Sequence, residues 1–233
     1  MQQISRRIGV LGLLTAALLG SATMLRAGEL ADPARWESTI KKFEAADAKQ
    51  HTKPGQILFV GSSSIRMWKL PDSFGDLDAI NRGFGGSHMA DVAALFDRVV
   101  LPYKPRRIVL YAGENDIAHG NSPQQVLEAF ESFVKQTRQK LGNTPIIYLT
   151  CKPSPSRWKM WPKMNQANEL ISEAAKAMPG VAVLHVEQIM LGENGEPDPS
   201  IFIKDRLHMN ADGYVRWKNL VEPFLGLDPQ QAK

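Results

Sequence analysis

The sequence contains a single cysteine, Cys151, and this scarcity excludes two kinds of stabilising structure. One cysteine cannot form an intramolecular disulfide, and a zinc site built on several cysteines cannot form either. The histidines lack metal-ligand spacing and there is no acidic cluster, so we predict no bound metal. Asp76 and Asp78 have the spacing of a calcium loop, but Phe74 occupies a ligand position and no glutamate closes the loop.

A large excess of charge of one sign is also absent. Lys and Arg number 28 and Asp and Glu number 24, which gives a net charge of +4. Three arginines and no acidic residue lie in residues 1–27, so residues 28–233 carry a net charge of +1. No dense basic patch is visible, and no lysine follows a glycine-rich turn in the pattern of a Walker phosphate loop. We therefore predict no nucleic-acid partner and no cofactor.

The first residues of the chain differ in composition from the rest. Arg6 and Arg7 precede an uncharged apolar stretch, residues 8–25, and small residues follow it. A basic start, an apolar stretch and small residues near the cleavage point are typical of a secretory signal peptide. We predict that residues 1–27 are such a peptide and that the mature protein is periplasmic or secreted.

A retained membrane anchor is the competing interpretation of this segment. The apolar stretch reaches the lower limit for a membrane span, but its glycines, alanines, serine and threonines make it a weak anchor. We therefore expect no stable membrane insertion after signal removal. Cleavage after Ala22 fits as well as cleavage after Ala27, and the Ser5-Arg6-Arg7 sequence resembles the start of a twin-arginine signal.

Residues 28–233 are expected to form one domain in which strands and helices alternate. Short runs rich in Val, Ile and Leu predict strands, and longer segments with helical spacing predict helices. The predicted strands are 57–60, 79–81, 107–112, 145–150 and 181–186, and the predicted helices are 31–50, 89–100, 123–141, 164–178 and 211–224. This alternation is typical of a mostly parallel sheet with helices on both faces.

Polar or glycine-rich turns follow the first three predicted strands. They are Gly61-Ser62-Ser63-Ser64, Gly83-Phe84-Gly85-Gly86 and Gly113-Glu114-Asn115-Asp116. Ligands bind beyond the carboxyl ends of the strands in such sheets, so we expect the three turns to converge on one edge.

Acyl transfer needs a nucleophile, a base, a group that orients the base, and donors for the oxyanion. A serine of the first turn is a candidate nucleophile, although it could equally cap the following helix. Asp205 lies three residues before His208, close enough to reach its Nδ1–H. Asn115 offers a side-chain amide, and Gly86 offers a backbone N–H in a turn where no side chain blocks an oxyanion.

Four sequence blocks in this order resemble the SGNH hydrolases, also called the GDSL lipase/esterase family. They are Phe59-Val60-Gly61-Ser62-Ser63, Asn81-Arg82-Gly83-Phe84-Gly85-Gly86, Gly113-Glu114-Asn115-Asp116 and Asp205-Arg206-Leu207-His208. The resemblance covers residues 57–213. It implies a three-layer α/β/α sandwich with a mostly parallel, five-stranded sheet of the flavodoxin-like type.

The resemblance also implies the site residues. The family nucleophile lies two residues after the glycine, which selects Ser63, with His208 as base and Asp205 as its orienting partner. The amides of Ser63 and Gly86 and the side chain of Asn115 then form the oxyanion hole. Gly86 is chosen among the glycines of its turn by its offset from the preceding asparagine.

The chain departs from the family pattern at Ser62, where many members carry an aspartate. The change removes a carboxylate that can tie down the turn, but it leaves the Ser–His–Asp set intact. A subset of the family has the same GSSS turn, so we do not interpret the change as a loss of activity.

Further residues are weaker candidates for contact with a substrate. Arg157, Trp158 and Trp161 follow the fourth predicted strand, and we expect them to be core or lid residues or to line an acyl or sugar pocket. His88 follows the glycine turn and is a second such candidate. His185 lies within a strand pattern and is expected in the core.

The sequence as a whole predicts a serine ester hydrolase. Its expected substrate is a short acyl ester of a small molecule or carbohydrate, with acetyl esters of carbohydrate as one example, cleaved through an acyl-enzyme. Two alternatives stay open: a lysophospholipase- or thioesterase-type acylhydrolase, and a non-catalytic carbohydrate-binding module on the same fold. The second is motivated by Ser62 and by the loop that carries Arg157. The sequence contains no signal for an oligomeric state.

Overall fold

A computed structural model describes residues 31–226, and a parallel β-sheet forms its centre. Five strands lie in the order β2-β1-β3-β4-β5, and every neighbouring pair is parallel. The strands are β1 (Ile57–Gly61), β2 (Ala79–Gly83), β3 (Arg107–Tyr111), β4 (Ile146–Leu149) and β5 (Val181–Leu184). This is the flavodoxin-like order, so the predicted fold class is confirmed.

Helices connect the strands and cover both faces of the sheet. Within residues 31–226 the α-helices are α1 (Glu37–Gln50), α2 (Ser63–Arg66), α3 (Leu70–Phe74), α4 (Met89–Ala94), α5 (Phe96–Val99), α6 (Glu114–Ala118), α7 (Pro123–Leu141), α8 (Trp161–Ala175) and α9 (Ala211–Leu225). Short 3-10 helices occupy Pro33–Trp36, Leu101–Tyr103, Pro155–Met160, Val186–Ile189 and Pro199–Ile201.

The helix α7 begins where the sequence predicts. The Gln125 amide donates to Ser122 Oγ at 3.2 Å, and the Ser122 amide donates to Gln125 Oε1 at 2.8 Å. This reciprocal pair is a capping box, which satisfies two amides that the first helical turn leaves unpaired. Pro123 follows at the first helical position, where no donor is needed.

Side chains of successive strand residues alternate between two apolar cores. Helices α1, α4, α5, α7 and α8 cover one face, whose strand residues are Leu58, Val60, Ile108, Leu110, Ile146 and Tyr148. Helices α2, α3 and α9 cover the other, whose strand residues are Ile57, Phe59, Val109, Tyr111, Ile147 and Leu149. Both faces of the inner strands β1, β3 and β4 are buried, which explains why these strands are nearly continuous apolar runs.

Several predicted boundaries differ from the structure. The predicted helix 31–50 begins as a 3-10 turn, Pro33–Trp36, before α1. The predicted helix 89–100 is two helices, because Leu95 has a φ of −91° and a ψ of 9° and interrupts the helical ladder. Residues 187–210, for which the sequence predicts neither a strand nor a helix, contain most of the 3-10 helix Val186–Ile189, the 3-10 helix Pro199–Ile201 and two isolated β-bridges.

The prediction that His185 lies in the core is wrong. The strand β5 is at the edge of the sheet and ends one residue earlier, at Leu184. The His185 side chain is 40% exposed, and its Nδ1 lies 2.7 Å from Glu187 Oε1. His185 therefore has a carboxylate partner and access to solvent, and not the apolar surroundings that the strand pattern implied.

None of the helices between residues 31 and 226 is both long enough and apolar enough to cross a membrane. The predicted signal peptide, residues 1–27, lies outside the described residues.

Candidate active site

The strand β1 ends at Gly61 in a close backbone approach to β3. Gly61 has a φ of +137°, and a Cβ added there would lie 1.9 Å from the carbonyl oxygen of Tyr111. The Ser62 amide donates to that same oxygen at 2.9 Å. Ser62 then occupies the N-cap position of α2, and Ser63 is its first helical residue. Ser62 and Ser64 are buried, whereas Ser63 is partly exposed at the carboxyl edge of the sheet.

Two side chains from distant elements hold the serine turn in place. Asn81 Nδ2, in β2, donates to the carbonyl oxygens of Ile65 at 2.6 Å and Trp68 at 3.1 Å. The Tyr214 hydroxyl, in α9, donates to the Ser64 carbonyl at 2.9 Å. Because α2 is only one turn long, these bonds from outside supply the support that a longer helix would provide itself.

The predicted histidine block forms a closed loop at the same edge of the sheet. An antiparallel bridge between Phe202 and Met209 closes the loop. Asp205 Oδ1 accepts the amides of Leu207 and His208, both at 2.9 Å. Asp205 Oδ2 lies 2.6 Å from His208 Nδ1. The carboxylate therefore binds both the backbone and the ring of the histidine, which fixes the orientation of the ring.

The other ring nitrogen of this histidine faces the serine. His208 Nε2 lies 2.9 Å from Ser63 Oγ. A proton held on Nδ1 by the carboxylate leaves Nε2 as the acceptor for the hydroxyl proton. Burial raises the pKa of Asp205, but hydrogen bonds from the His208 ring and from the His208 and Leu207 amides outweigh burial and lower this pKa to about 2. The carboxylate is therefore ionised and can stabilise an imidazolium.

Gly86 lies in the turn between β2 and α4 and has a φ of +83°. Within residues 31–226, neither its amide nor that of Ser63 donates to a backbone carbonyl. A Cβ added at Gly86 would meet the ring of Trp36 at 3.4 Å and the guanidinium of Arg35 at 3.8 Å. Two amides without backbone acceptors, one on each turn, match what an oxyanion hole requires.

Both ends of the Asn115 side chain make hydrogen bonds. Asn115 is in α6 and is 7% exposed. Its Nδ2 donates to the carbonyl of Ser87, the residue after Gly86, at 3.0 Å. Its Oδ1 accepts from Arg157 Nη2 at 3.0 Å. The asparagine thus bridges the glycine turn and the loop after β4.

Three charged side chains pack together behind Asn115, and sequence reasoning singles out only one of them. Lys152 Nζ lies 2.6 Å from Glu114 Oε2, and Arg157 Nη1 lies 3.1 Å from Glu114 Oε1. The Tyr111 hydroxyl also donates to this carboxylate. Burial raises the pKa of Glu114, but the charges of Lys152 and Arg157 outweigh burial and hold this pKa below its usual value. The only sequence signal for Glu114 and Lys152 is their place in the turns after β3 and β4.

Asp116 lies beneath the same turn and connects it to α4. Both of its carboxylate oxygens lie 3.0 Å from the Met89 amide. Burial raises the pKa of Asp116 to about 7, against the lowering effect of the Met89 amide and nearby backbone donors. The residue therefore braces the turn, as its position next to Asn115 suggests.

His88 is the N-cap residue of α4, and its ring packs against that of His119 with centroids 4.8 Å apart. Burial lowers the pKa of His88, although the Asp91 carboxylate lies 3.5 Å from its Nδ1 and acts in the opposite direction. Its Nε2 has no hydrogen-bond partner among residues 31–226. Over the same residues, no three His, Cys, Asp or Glu side chains converge where they could hold a metal ion. Substrate contact by His88 stays a prediction.

Trp158 and Trp161 stack on each other, with ring centroids 6.0 Å apart and planes 16° apart. Trp161 also packs against the core on the α7–α8 face of the sheet. Their loop contacts the histidine loop, because the Ser156 amide donates to the Arg206 carbonyl at 3.0 Å. The structure thus places both rings on a segment next to the site, and their role as pocket walls stays a prediction.

Comparison with known proteins identifies the family of this chain. A model of the GDSL-like Lipase/Acylhydrolase family matches residues 62–216, which include the serine turn and the histidine loop. No curated protein matches the chain.

Solved structures of similar architecture come from several bacteria. A Streptococcus pneumoniae protein that carries the name platelet activating factor is 20% identical, with a TM-score of 0.73 over 82% of this chain and 94% of that one. A GDSL-like lipase from Bacteroides thetaiotaomicron is 23% identical, with a TM-score of 0.65 over 84% and 98%. A catalytic mutant of an acetylxylan esterase from Geobacillus stearothermophilus is 14% identical, with a TM-score of 0.60 over 77% and 97%. At these identities the likeness shows the fold.

Proposed function

Because the chain belongs to the GDSL-like lipase/acylhydrolase family, which hydrolyses ester bonds, we propose that it does so with Ser63 as nucleophile, His208 as base and Asp205 as the orienting group. One observation carries this proposal: His208 Nε2 lies 2.9 Å from Ser63 Oγ while its Nδ1 lies 2.6 Å from the Asp205 carboxylate. Nucleophile, base and orienting group are thus connected in the order that acyl transfer requires.

In the first step Ser63 Oγ attacks the ester carbonyl carbon while His208 Nε2 takes the hydroxyl proton. The ionised Asp205 stabilises the imidazolium that forms. The tetrahedral intermediate then collapses, the bond to the alcohol oxygen breaks, and His208 returns the proton to the leaving alcohol. The acyl group remains on Ser63.

The negative charge that develops on the carbonyl oxygen needs fixed donors. We assign this role to the amides of Ser63 and Gly86 and to the Asn115 side chain. The two amides have no backbone acceptor in the described part of the chain, and the asparagine side chain is held at both ends. Preorganised donors of this kind are usually the largest single contribution to the rate.

Water then completes the reaction. It takes the place of Ser63 as the nucleophile, and Ser63 becomes the leaving group. His208 takes a proton from water as the water oxygen attacks the acyl carbon. The bond to Ser63 Oγ then breaks, and His208 returns the proton to this oxygen. The products are a carboxylic acid and the free serine. No metal or cofactor takes part in this scheme.

The proposed substrate is a short acyl ester, with acetyl groups on carbohydrate as the favoured case. The sequence has no long apolar insertion that would form a lid over Ser63 and shield a long acyl chain. A polar and aromatic loop that carries Arg157 and Trp158 lies beside the site and suits a sugar better than a lipid tail. The fold is also that of an acetylxylan esterase.

We further propose that the protein is exported and acts outside the cytoplasm. The support is the sequence of residues 1–27, with its basic start, apolar stretch and terminal small residues.

A scan of the three serines tests the proposed nucleophile. The parent and the variants Ser62→Ala, Ser63→Ala and Ser64→Ala are assayed with p-nitrophenyl acetate and with longer acyl homologues. We expect only Ser63→Ala to abolish turnover, by about 10⁴-fold or more. Activity that survives in Ser63→Ala but not in a neighbouring variant contradicts the assignment. A preference for long acyl chains supports a lysophospholipase- or thioesterase-type enzyme, and a parent inert on every ester supports a binding module.

A further inference from the structure

The guanidinium of Arg157 joins the proposed oxyanion donor to a buried ion pair. Its Nη2 donates to Asn115 Oδ1 at 3.0 Å, and its Nη1 lies 3.1 Å from Glu114 Oε1. The contact with Asn115 is a directional hydrogen bond, whereas the contact with Glu114 Oε1 is an ion pair without hydrogen-bond geometry, so the charge of Glu114 holds the guanidinium in place while Nη2 orients the amide. Both terminal nitrogens of Arg157 therefore contact groups of the protein itself.

The direction in which Asn115 points decides whether it can serve an oxyanion. Its side chain has an oxygen that only accepts and a nitrogen that donates two hydrogens, and a flip of the amide exchanges them. With Oδ1 bound to Arg157, Nδ2 must lie on the other side, where one hydrogen goes to the Ser87 carbonyl at 3.0 Å. The second hydrogen has no acceptor among residues 31–226, and the proposed function assigns it to the ester oxygen.

A flipped asparagine would lose both bonds at once. Its Nδ2 would face the Arg157 guanidinium, which has no acceptor, and its Oδ1 would face the Ser87 carbonyl, which has no donor. The flipped state would place the carbonyl dipole of Asn115 against the developing oxyanion. The arginine thus penalises the orientation that is inactive.

Arg157 is itself held by charges that have little freedom to move. Lys152 is 1% exposed and Glu114 is 3% exposed, and their 2.6 Å contact lies inside the protein. Glu114 can neutralise only one of the two cations that touch it. The cluster of Lys152, Glu114 and Arg157 therefore has a net positive charge next to Asn115, which also favours negative charge at the site.

We propose that Arg157, held by the Glu114–Lys152 ion pair, is the positioning residue that keeps the Asn115 amide turned toward the oxyanion. The inference rests on the proposed function, in which Asn115 is an oxyanion donor. It gives Arg157 a role in the rate of the chemical step and not in substrate affinity alone.

A double-mutant cycle on turnover of p-nitrophenyl acetate tests this role. We expect Arg157→Gln to lower kcat by about 10- to 100-fold, part of the 10²–10³ that the loss of a whole oxyanion donor costs, with little change in KM. In the Asn115→Ala background the same substitution should have almost no further effect, because the group that it positions is gone. Arg157→Lys should fail to restore kcat, since an ammonium lacks the planar fork of donors of a guanidinium.

The matched control is Lys159→Gln, which removes an exposed positive charge from the same 3-10 helix. We expect it to leave kcat unchanged. Arg157→Gln leaves Glu114 with Lys152 and Tyr111 as partners, so the variant should fold. Equal losses of kcat from Arg157→Gln with and without Asn115, or a change confined to KM, would overturn the proposal.

A second readout needs no ester turnover. It therefore distinguishes a failure of the positioning role from a failure of the proposed function. Hydrogen exchange of the Asn115 side-chain amide is followed by NMR in isotope-labelled protein, with its signals identified by their loss in Asn115→Ala. We expect faster exchange in Arg157→Gln, whereas the buried Asn168 amide, which is bonded to the backbone of Cys151, should not change. Unchanged exchange at Asn115 contradicts the positioning role, whether or not the protein hydrolyses esters.

Discussion

His208 Nε2 lies 2.9 Å from Ser63 Oγ, although 145 residues separate the two along the chain. The contact depends on how α9 packs, because His208 lies three residues before that helix and the Tyr214 hydroxyl, within it, binds the Ser64 carbonyl at 2.9 Å. One helix therefore sets the position of the histidine loop and supports the serine turn. The pair is a product of tertiary structure, built at the edge where parallel strands end.

Asp205→Asn should reduce turnover without disturbing the loop. The asparagine oxygen can still accept the Leu207 and His208 amides, but its Nδ2 then faces the imidazole and favours the tautomer with the proton on Nε2. We expect kcat to fall by about 10³–10⁴-fold, as for the analogous change in serine proteases, with KM little altered. Steady-state kinetics measure this, with the exposed Asp72→Asn as control. Near-normal kcat in Asp205→Asn would contradict its orienting role.

Asp116 makes the stability of the protein depend on pH. Its pKa is about 7 in the fold and 3.8 ordinarily, so the fold binds this proton more tightly than the unfolded chain does. The stability contribution is therefore complete below about pH 4 and is lost as pH rises to about 7. We expect Asp116→Asn to gain up to about 4 kcal/mol in unfolding free energy relative to wild type between pH 4 and pH 8.

Urea denaturation of the wild type and Asp116→Asn at both pH values measures this gain, with Asp72→Asn as the reference for an exposed carboxylate. A difference between variant and wild type that is the same at both pH values would show that Asp116 does not titrate in this window.

Gly61→Ala should prevent folding of the sheet edge. The new methyl group would lie 1.9 Å from the Tyr111 carbonyl oxygen, so β1 and β3 must separate. We expect a loss of more than about 4 kcal/mol in unfolding free energy, together with loss of activity. Gly55→Ala is the matched control, because Gly55 has a φ of +94° but nothing within 4 Å of its added Cβ. It should cost about 1–2 kcal/mol from backbone strain alone. Similar losses in both variants would mean that the close approach is unimportant.

Lys152→Met should destabilise the protein strongly, because it leaves the buried Glu114 carboxylate with one cation fewer. Removal of one partner of a buried ion pair costs about 3–5 kcal/mol. The control is Lys176→Met, which breaks an ion pair with Glu173 whose side chains are 71% and 75% exposed, and should cost less than about 1 kcal/mol. The double variant Glu114→Gln/Lys152→Met should recover part of the loss. Chemical denaturation checks all three, and an equal, small cost for both lysines would contradict the importance of burial.

The sequence predicts the site best where short local patterns determine it. Ser63 lies two residues after the glycine that ends a strand, so the strand defines its position. Asp205 precedes His208 by three residues, so one short loop holds both. The parallel sheet follows from the alternation of apolar runs and helical spacing. The pairing of His208 with Ser63 was predicted from the family resemblance, since no local pattern connects residues so far apart.

Other contacts lie beyond what periodicity can show. The bond from Arg157 to Asn115 crosses 42 residues, and the direction of a side chain in a short 3-10 helix has no signature in the sequence. Nothing in the sequence around Lys152 marks it as buried, yet Glu114 and Tyr111 surround it with a compensating charge and ring. The prediction that His185 is buried is wrong, because a strand pattern at the sheet edge does not guarantee burial.

Covalent labelling with diisopropyl fluorophosphate tests the central claim most directly. The reagent phosphorylates an activated serine with loss of fluoride, and peptide mass spectrometry locates the adduct. The account predicts one adduct, on Ser63, that is absent in Ser63→Ala and forms much more slowly in His208→Ala. An adduct on another residue, or labelling of Ser63 at an undiminished rate without His208, would contradict the claim that these two residues act together.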